Sequence, residues 1–205
     1  MNGNIDHHLQ RWGRGLAAWG KPILVRIAHE MNGDWYPWSI GVDRNTTAEY
    51  RAAFRRMRTI IKGEGAHQAS FVWSPNVLSE GTRGFMDCYP GDDVVDYVGL
   101  DGYNWGDTPG HQWQSVRTLF PRSLSLLRQV APTRPVLITE VGCANGSTAE
   151  DKSRWISDFF SFLEQHQSVL GFVWFQTDKE RDWRINSTPA STQAFRDGLA
   201  NWIRS

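Results

Sequence analysis

The chain of 205 residues carries 22 basic and 22 acidic side chains, and 40% of its residues are hydrophobic. This apolar content is enough for one cored domain, and the balanced charge gives no indication of a nucleic-acid partner or an anionic membrane surface. No apolar run approaches the roughly 18 residues of a membrane span, and the polar start MNGNIDHHLQ lacks a signal-peptide pattern, so we expect a chain that is soluble as given.

Alternating strands and helices follow one another along the chain. An amphipathic helix is predicted over Asp6–Trp19, where Gly20 and Pro22 end it, and a buried strand over Ile23–Ala28. The next helix, Thr47–Lys62, is followed by a strand at Ala69–Trp73. The remaining predicted elements are strands at Val94–Leu100, Val136–Thr139 and Val169–Phe175, and helices at Ser115–Val130, Thr148–Gln165 and Ser191–Ile203.

Short strands that are apolar throughout and alternate with helices indicate a parallel sheet covered by helices. A doubly wound sheet often carries a glycine-rich phosphate loop after an early strand, and the sequence has none. The predicted fold is therefore α/β, of the (β/α)8 TIM-barrel type. Because only five strands are visible and a barrel has eight in ~250 residues, we expect an incomplete barrel that lacks its first three βα units.

Tryptophan is unusually frequent, with 11 residues, whereas there are only two cysteines. Trp12 and Trp19 share a helical face with Leu9 and Leu16, which predicts core positions for both. Other tryptophans lie among loop residues, where exposed indole rings stack well on the C–H faces of sugars. Two cysteines are too few for a disulfide framework or a four-thiolate zinc site, although a single bridge between them remains open.

Polar residues stand at or just beyond the predicted strand ends, where TIM barrels carry their active sites. Glu30 and Glu140 are 110 residues apart, which is three βα units, so both should point into one mouth. Two such glutamates suit retaining glycoside hydrolysis, although each could instead be a structural acid paired with an arginine. The other strand-end residues are Asn76, Asp101, Tyr103 and Trp174.

The segment around Glu30 reads RIAHEMNGDWYPW, from Arg26 to Trp38. If the strand period of two continues, Arg26 lies beneath Glu30 and influences its charge. A zinc-protease motif would need a second histidine four residues after His29, and position 33 is Gly, so we predict no metal here.

Three further segments join this one in a single pattern: SFVWSPN (70–76), DYVGLDGYN (96–104) and LITEVG (137–142). Their order and spacing resemble glycoside hydrolase family 26, best known for β-mannanases, and HEMNG followed by WYPW is the most specific part of the match. The resemblance covers essentially all of the chain but only the later part of the family's domain. It implies one partial catalytic domain over residues 1–205, without the family's sugar-binding His and Trp from the missing front.

The resemblance implies Glu30 as the catalytic acid/base and Glu140 as the nucleophile that forms a covalent glycosyl intermediate. It further implies that Tyr103 hydrogen-bonds the nucleophile and that His29 lines the site. The other implied roles are sugar platforms at Trp35 and Trp174, polar supports at Asp101 and Asn76, and a charge behind the site at Arg26.

The predicted function is retaining, endo-acting hydrolysis of a β-linked polysaccharide, with β-1,4-mannan first. A β-glucanase or β-xylanase and an inactive or carbohydrate-binding barrel fragment are the alternatives. We expect no cofactor, no nucleic-acid or membrane partner, and self-association through exposed sheet edges. Since polymeric glycans are met outside cells, we expect a secreted protein. The shortened barrel could be a fragment, a naturally incomplete homologue or a chain that is completed by oligomerisation.

Overall fold

The computed structural model describes residues 3–148 and 150–204. In chain order its helices and strands are α1 Asp6–Trp19, β1 Ile23–Arg26, α2 Thr47–Gly63, β2 Ala69–Trp73, β3 Tyr97–Asn104, α3 Val116–Leu119, α4 Pro121–Val130, β4 Val136–Cys143, α5 Asp151–Gln165, β5 Val169–Trp174 and α6 Pro189–Trp202. Short 3-10 turns lie at Val42–Arg44 and Met86–Cys88.

The chain forms two compact units: one comprises the described residues up to 99 together with 126–135, and the other comprises 100–125 and the described residues from 136 onward. In the first unit, β1 is parallel to β2, and β2 to the start of β3. In the second, β4 is parallel to β5, and the Ala144 N–H donates to the Asn104 carbonyl at the end of β3. The strand order follows the chain order, which confirms the predicted parallel α/β fold. The single domain over 1–205 stays a prediction.

Helices α1 and α2 pack together in the first unit. The inner face of α2 buries Tyr50, Phe54 and Ile61, as its sequence period predicts. A capping box begins α2: the Glu49 N–H donates to the Thr46 hydroxyl, and the Thr46 N–H donates to the Glu49 carboxylate. This cap is worth about 1 kcal/mol.

The core positions predicted for Trp12 and Trp19 are wrong. Trp12 is 40% exposed and Trp19 is 57% exposed, whereas Leu9 on the same helix is buried. The close approach of α1 to α2 is made instead at Gly13, where a Cβ atom would lie 2.8 Å from the Ile61 carbonyl oxygen. The helical period therefore identified an apolar stripe correctly, but α2 covers only the part of it nearest Leu9 and Gly13.

Aromatic rings fill the core of the second unit, between β5, α5 and α6. Phe172 of β5 meets Phe159 of α5 edge to face, with ring centroids 5.2 Å apart, and Phe160 meets Phe195 of α6 at 5.4 Å. Such edge-to-face pairs add about 0.5–1.5 kcal/mol beyond the area that they bury.

Several predicted element boundaries are wrong: β1 ends at Arg26 rather than Ala28, and β4 ends at Cys143 rather than Thr139. Two further errors have local causes. The helix expected over Ser115–Val130 is divided at Phe120, because Pro121 has no N–H to continue α3 and begins α4 instead. The third strand begins at Tyr97 rather than Val94, because the N–H groups of Val94 and Val95 both bond the Gly91 carbonyl in a turn. The strand also ends at Asn104 rather than Leu100, so Asp101 and Tyr103 lie within it.

Other predictions agree closely with the structure. The helix at Asp6–Trp19 and the strand at Ala69–Trp73 have the predicted bounds. The predicted helix Thr148–Gln165 includes residue 149, which lies outside the described residues, and the described helix α5 begins at Asp151. None of the helices in the described part of the chain combines the length and hydropathy that a membrane span requires.

Replacing Gly13 by Ala should lower the free energy of unfolding by roughly 1–3 kcal/mol, because the added methyl group meets α2 backbone. The matched control is Gly15→Ala in the same helix. At Gly15 nothing lies within 4 Å of the Cβ position, so this change should raise stability by about 0.5–1 kcal/mol. Urea unfolding followed by circular dichroism measures both, and equal effects would contradict the packing at Gly13.

Candidate active site

The chain leaves β1 at Arg26 and reaches Glu30 through a left-handed backbone. Ala28 has φ 47° and Glu30 has φ 54°, a region that costs non-glycine residues about 1 kcal/mol or more. Two hydrogen bonds hold this turn: the Glu30 N–H donates to the Ser74 carbonyl at 2.8 Å, and the Tyr50 hydroxyl donates to the Ala28 carbonyl at 2.9 Å.

This backbone also corrects the placement argued for Arg26. The strand ends at Arg26 and the following residues are not extended, so the period of two does not carry from Arg26 to Glu30. The role of Arg26 as a charge behind the site stays a prediction.

Both oxygens of the Glu30 carboxyl accept hydrogen bonds from neighbouring side chains. Asn76 donates from Nδ2 to Oε1 at 2.7 Å, and Trp35 donates from Nε1 to Oε2 at 2.7 Å. Glu30 is only 6% exposed, so these two bonds fix the direction of a nearly buried carboxyl.

Trp35 reaches Glu30 because residue 33 is glycine. A Cβ atom at Gly33 would lie 2.5 Å from the six-membered ring of Trp35. The ring therefore lies directly against the Gly33 backbone, while 47% of Trp35 remains exposed. The indole is thus anchored at its N–H while much of the residue is exposed, and its role as a sugar platform stays a prediction.

His29 belongs to an aromatic cluster beside Glu30. Its Nε2 lies 3.1 Å from the Tyr36 hydroxyl, and its carbonyl accepts from Trp38 Nε1 at 2.7 Å. Tyr36 and Trp38 are stacked with centroids 4.4 Å apart. The structure thus brings His29, Glu30, Trp35 and Asn76 together, and it uses Trp38 to hold the loop.

Asn32 was missed by the sequence analysis, although it is fully buried in this part of the site. Its side-chain amide bonds both backbone groups of Asn76: Oδ1 accepts from the Asn76 N–H at 2.8 Å, and Nδ2 donates to the Asn76 carbonyl at 2.9 Å. The HEMNG segment carried the signal, because an asparagine two residues after a strand-end glutamate can bond backbone in either direction.

In the second unit, the Tyr103 hydroxyl donates to Oε2 of Glu140. This contact is the one that the family resemblance implied. Tyr103 is held from the side by Trp183, whose ring meets it edge to face at 5.0 Å, and Trp183 is fully buried. Trp183 lies in an irregular loop after β5, and no periodic pattern identified it.

Asp101 and Trp174 have structural partners in this unit. The fully buried Asp101 accepts a hydrogen bond through Oδ1 from the hydroxyl of Thr139 at 2.6 Å. Thr139 precedes Glu140 in the chain. Trp174 donates from Nε1 to the Trp183 carbonyl at 2.8 Å and packs on Phe195 with centroids 5.8 Å apart. The N–H of Trp174 thus holds the loop, and the role of this residue as a sugar platform stays a prediction.

The loop that carries Trp183 is anchored from below by Lys152, which is 1% exposed in α5. Its Nζ donates to the Asp182 carbonyl at 2.7 Å. Burial lowers the pKa of Lys152 to about 8, an effect that the nearby Asp182 carboxylate only partly opposes. Burial also raises the pKa of Cys143 to about 12, and both cysteines are free.

A groove of about 370 Å³ lies beside this loop in the second unit. Trp105 lines it and stacks on His111 with centroids 4.8 Å apart. The rest of its lining is mostly polar and includes Asp107, Thr108, Asn145, Asp178 and Arg181. The groove follows the C-terminal ends of β3 and β4, where barrel enzymes bind their substrates.

Carboxyl groups held by side-chain donors toward the C-terminal ends of parallel strands are typical of TIM-barrel enzymes, whose active sites lie at that end of the barrel. The sequence profile of Glycosyl hydrolase family 26 matches residues 1–197, and the chain belongs to this family of glycoside hydrolases. The resemblance seen in the four sequence segments is thereby confirmed.

The proteins that are similar to this chain are named for different substrates. Endoglucanase H of Acetivibrio thermocellus is 38% identical over 97% of the chain, and β-1,3-xylanase TXYA of a Vibrio species is 28% identical over 89%. The chain spans 22% of the first relative and 41% of the second. A family 26 β-mannanase from Bacteroides ovatus superposes with a TM-score of 0.69 at 21% identity, over 100% of this chain and 60% of that one, which confirms the TIM-barrel type of fold.

The lowered pKa of Lys152 predicts a pH dependence of stability. Between pH 8 and about 10.5 the unfolded chain binds this proton and the folded chain does not, so the unfolding free energy should rise with pH, by up to about 3 kcal/mol. Lys152→Met removes that rise. We expect the stability of the wild type relative to this variant to increase across the interval, as measured by urea unfolding at several pH values.

The control for this experiment is Lys62→Met, because Lys62 Nζ also donates to a backbone carbonyl, that of His67, but at the exposed surface. Parallel pH profiles for the wild type and Lys152→Met would contradict the assignment.

Proposed function

We propose that this chain forms the catalytic region of an endo-acting glycoside hydrolase that cleaves a β-linked polysaccharide with retention. The observation that carries the proposal is the Glu30 carboxyl, nearly buried in the turn that follows β1 and fixed at both oxygens by Asn76 and Trp35. A proton donor must be directed at one leaving oxygen, and this arrangement supplies a fixed direction.

In the proposed mechanism Glu30 protonates the leaving oxygen while Glu140 attacks the anomeric carbon. The resulting glycosyl ester on Glu140 is hydrolysed by a water that Glu30 deprotonates, so that one residue acts as acid and then as base. The Tyr103 hydroxyl, which donates to Glu140, stabilises the carboxylate when it leaves the sugar again. The route requires the two carboxyl groups to be about 5–5.5 Å apart during turnover.

Sugar binding is assigned to the aromatic and polar residues around these carboxyl groups. Trp35 supplies an exposed indole face beside Glu30, and His29 is fixed next to it by Tyr36. Trp174 is proposed as a second platform and Asp101 as a polar support, while Arg26 supplies a positive charge behind β1. The chemistry needs no cofactor.

The proposed substrate is β-1,4-mannan, on the strength of the family's best-known activity and of the β-mannanase fold match. A β-glucan is the second candidate, because Endoglucanase H has the higher identity of the two relatives compared. A β-xylan is the third, in view of the Vibrio enzyme. An inactive carbohydrate-binding domain is the alternative from another class.

Secretion and self-association complete the proposal. Polymeric glycans are met outside the cell, so the protein is proposed to act there, as one catalytic domain. Among the described residues β1 pairs with β2 alone and β5 with β4 alone, while Leu24, Leu170 and Val173 are exposed on these strands. Open strands of this kind favour association through their edges.

Replacing Glu140 by Ala should abolish hydrolysis of mannan, mixed-linkage glucan and xylan alike, because the variant has no nucleophile. Reducing-sugar release from each polymer measures the activity, and affinity electrophoresis in the same polymers measures binding. Unchanged binding together with lost turnover supports the enzyme. If the wild type binds these polymers and hydrolyses none of them, the chain is a binding domain.

A disaccharide fluoride that carries a second fluorine on its sugar ring tests the retaining mechanism. Such a reagent forms a glycosyl enzyme that turns over slowly. Mass spectrometry should locate the trapped sugar on the peptide that contains Glu140. A label on another carboxyl group, or the absence of any label from an enzyme that hydrolyses polymer, would contradict the role of Glu140.

A further inference from the structure

We propose that Asn32 is a positioning residue for the Glu30 carboxyl, acting through Asn76. The inference rests on the proposed function of Glu30 as acid/base. Asn32 touches neither oxygen of that carboxyl in the bonds described above; it holds the residue that does.

The Asn32 amide pairs with Asn76 as one strand pairs with another. It accepts from the Asn76 N–H at 2.8 Å and donates to the Asn76 carbonyl at 2.9 Å, which fixes both backbone groups of that residue. Asn76 is itself buried, and from this fixed backbone its Nδ2 lies 2.7 Å from Glu30 Oε1. The direction of the carboxyl is thus set two hydrogen bonds away.

A second anchor keeps Asn32 in place. The Arg83 N–H donates to the Asn32 carbonyl at 2.7 Å, and Asn32 Nδ2 also lies 3.3 Å from the Arg83 carbonyl. Asn32 therefore connects the loop after β1 with both ends of the loop after β2. Because it is fully buried, a lost bond here is not replaced by water.

Only asparagine supplies this set of groups at this length. Aspartate has the same shape but no N–H, so it would face the carbonyls of Asn76 and Arg83 with oxygen. Serine retains an acceptor and lacks the reach of the amide. A displacement of the acid/base of about 1 Å is enough to reduce a rate roughly 100-fold, so a small shift of Asn76 should be visible in the kinetics.

Asn45 offers a matched control. Its Nδ2 donates to two backbone carbonyls, those of Pro37 at 2.8 Å and Ser39 at 3.1 Å, in the same loop. Asn45→Asp therefore removes the same kind of bonds from the same loop without touching Asn76.

The experiment compares Asn32→Asp, Asn45→Asp and Glu30→Ala with the wild type on two aryl glycosides each of cellobiose and mannobiose. Dinitrophenyl leaves without protonation, whereas phenyl needs the acid. For Asn32→Asp we expect kcat/KM to fall about 100-fold on the phenyl glycoside and less than about threefold on the dinitrophenyl glycoside. Asn45→Asp should change neither by more than about threefold.

Equal losses of Asn32→Asp on the two leaving groups would show a merely structural residue and overturn the inference, as would no loss on either. Asn32→Ser is measured in parallel. If neither variant keeps the wild-type circular dichroism and melting temperature, Asn32 is a folding residue and the positioning role is overturned.

Failure of the proposed function is distinguishable from failure of the positioning role. If Glu30→Ala loses both substrates equally, Glu30 is not the acid/base; if Glu30→Ala is selective and Asn32→Asp is not, only the positioning role fails. Nitrogen-15 NMR needs no turnover: the Asn76 side-chain amide should be protected from exchange in the wild type and in Asn45→Asp, and unprotected in Asn32→Asp. If the Asn76 side-chain amide stays protected from exchange in Asn32→Asp, the positioning role is overturned, even if the chain hydrolyses no substrate.

Discussion

Two N–H donors, one on Asn76 and one on Trp35, bond the two oxygens of the nearly buried Glu30 carboxyl. Several features of the first unit place these donors and the carboxyl against each other. The left-handed backbone at Ala28 and Glu30 turns the carboxyl away from the strand direction. Gly33 lets the indole come close enough to donate. Each of these features has a cost in backbone freedom or strain, and together they give a buried acid one direction instead of several.

The second unit holds its carboxyl by a different means. Glu140 lies within β4, at the point where the pairing with β5 shifts register between Ile138 and Val141, and the donor is a phenol from the adjacent strand. Support comes from the aromatic side: Trp183 packs on Tyr103, and Trp183 is kept there by the Trp174 indole and by a buried lysine below the loop. A hydroxyl donor and a ring cluster replace the amide network of Glu30.

The sequence predicted the parts of this structure that depend on local pattern. Apolar runs and glycine or proline stops located α1 and β2, and the motif around Tyr103 and Glu140 implied their contact. The sequence could not predict the exposure of Trp12 and Trp19. The helical period shows which residues share a face, but not how much of that face a neighbouring helix covers. Asn32 and Trp183 escaped because their partners are 44 and 80 residues away in the chain, respectively. The predicted strand start at Val94 and the predicted continuous helix through Phe120 were wrong. Hydrophobic patterns do not show that a turn carbonyl holds Val94 or that a proline divides the helix.

The amide of Asn32 also has a consequence for which part of the loop after β2 can vary in sequence and length. Asn32 holds the loop after β2 at Asn76 and at Arg83, whereas Gly81 between them is exposed and has open space around it. Residues can be added, removed or exchanged at that tip while the ends stay anchored. Sequence change can therefore concentrate at this tip, while the two points held by Asn32, and with them the hydrogen bond from Asn76 to Glu30, stay in place.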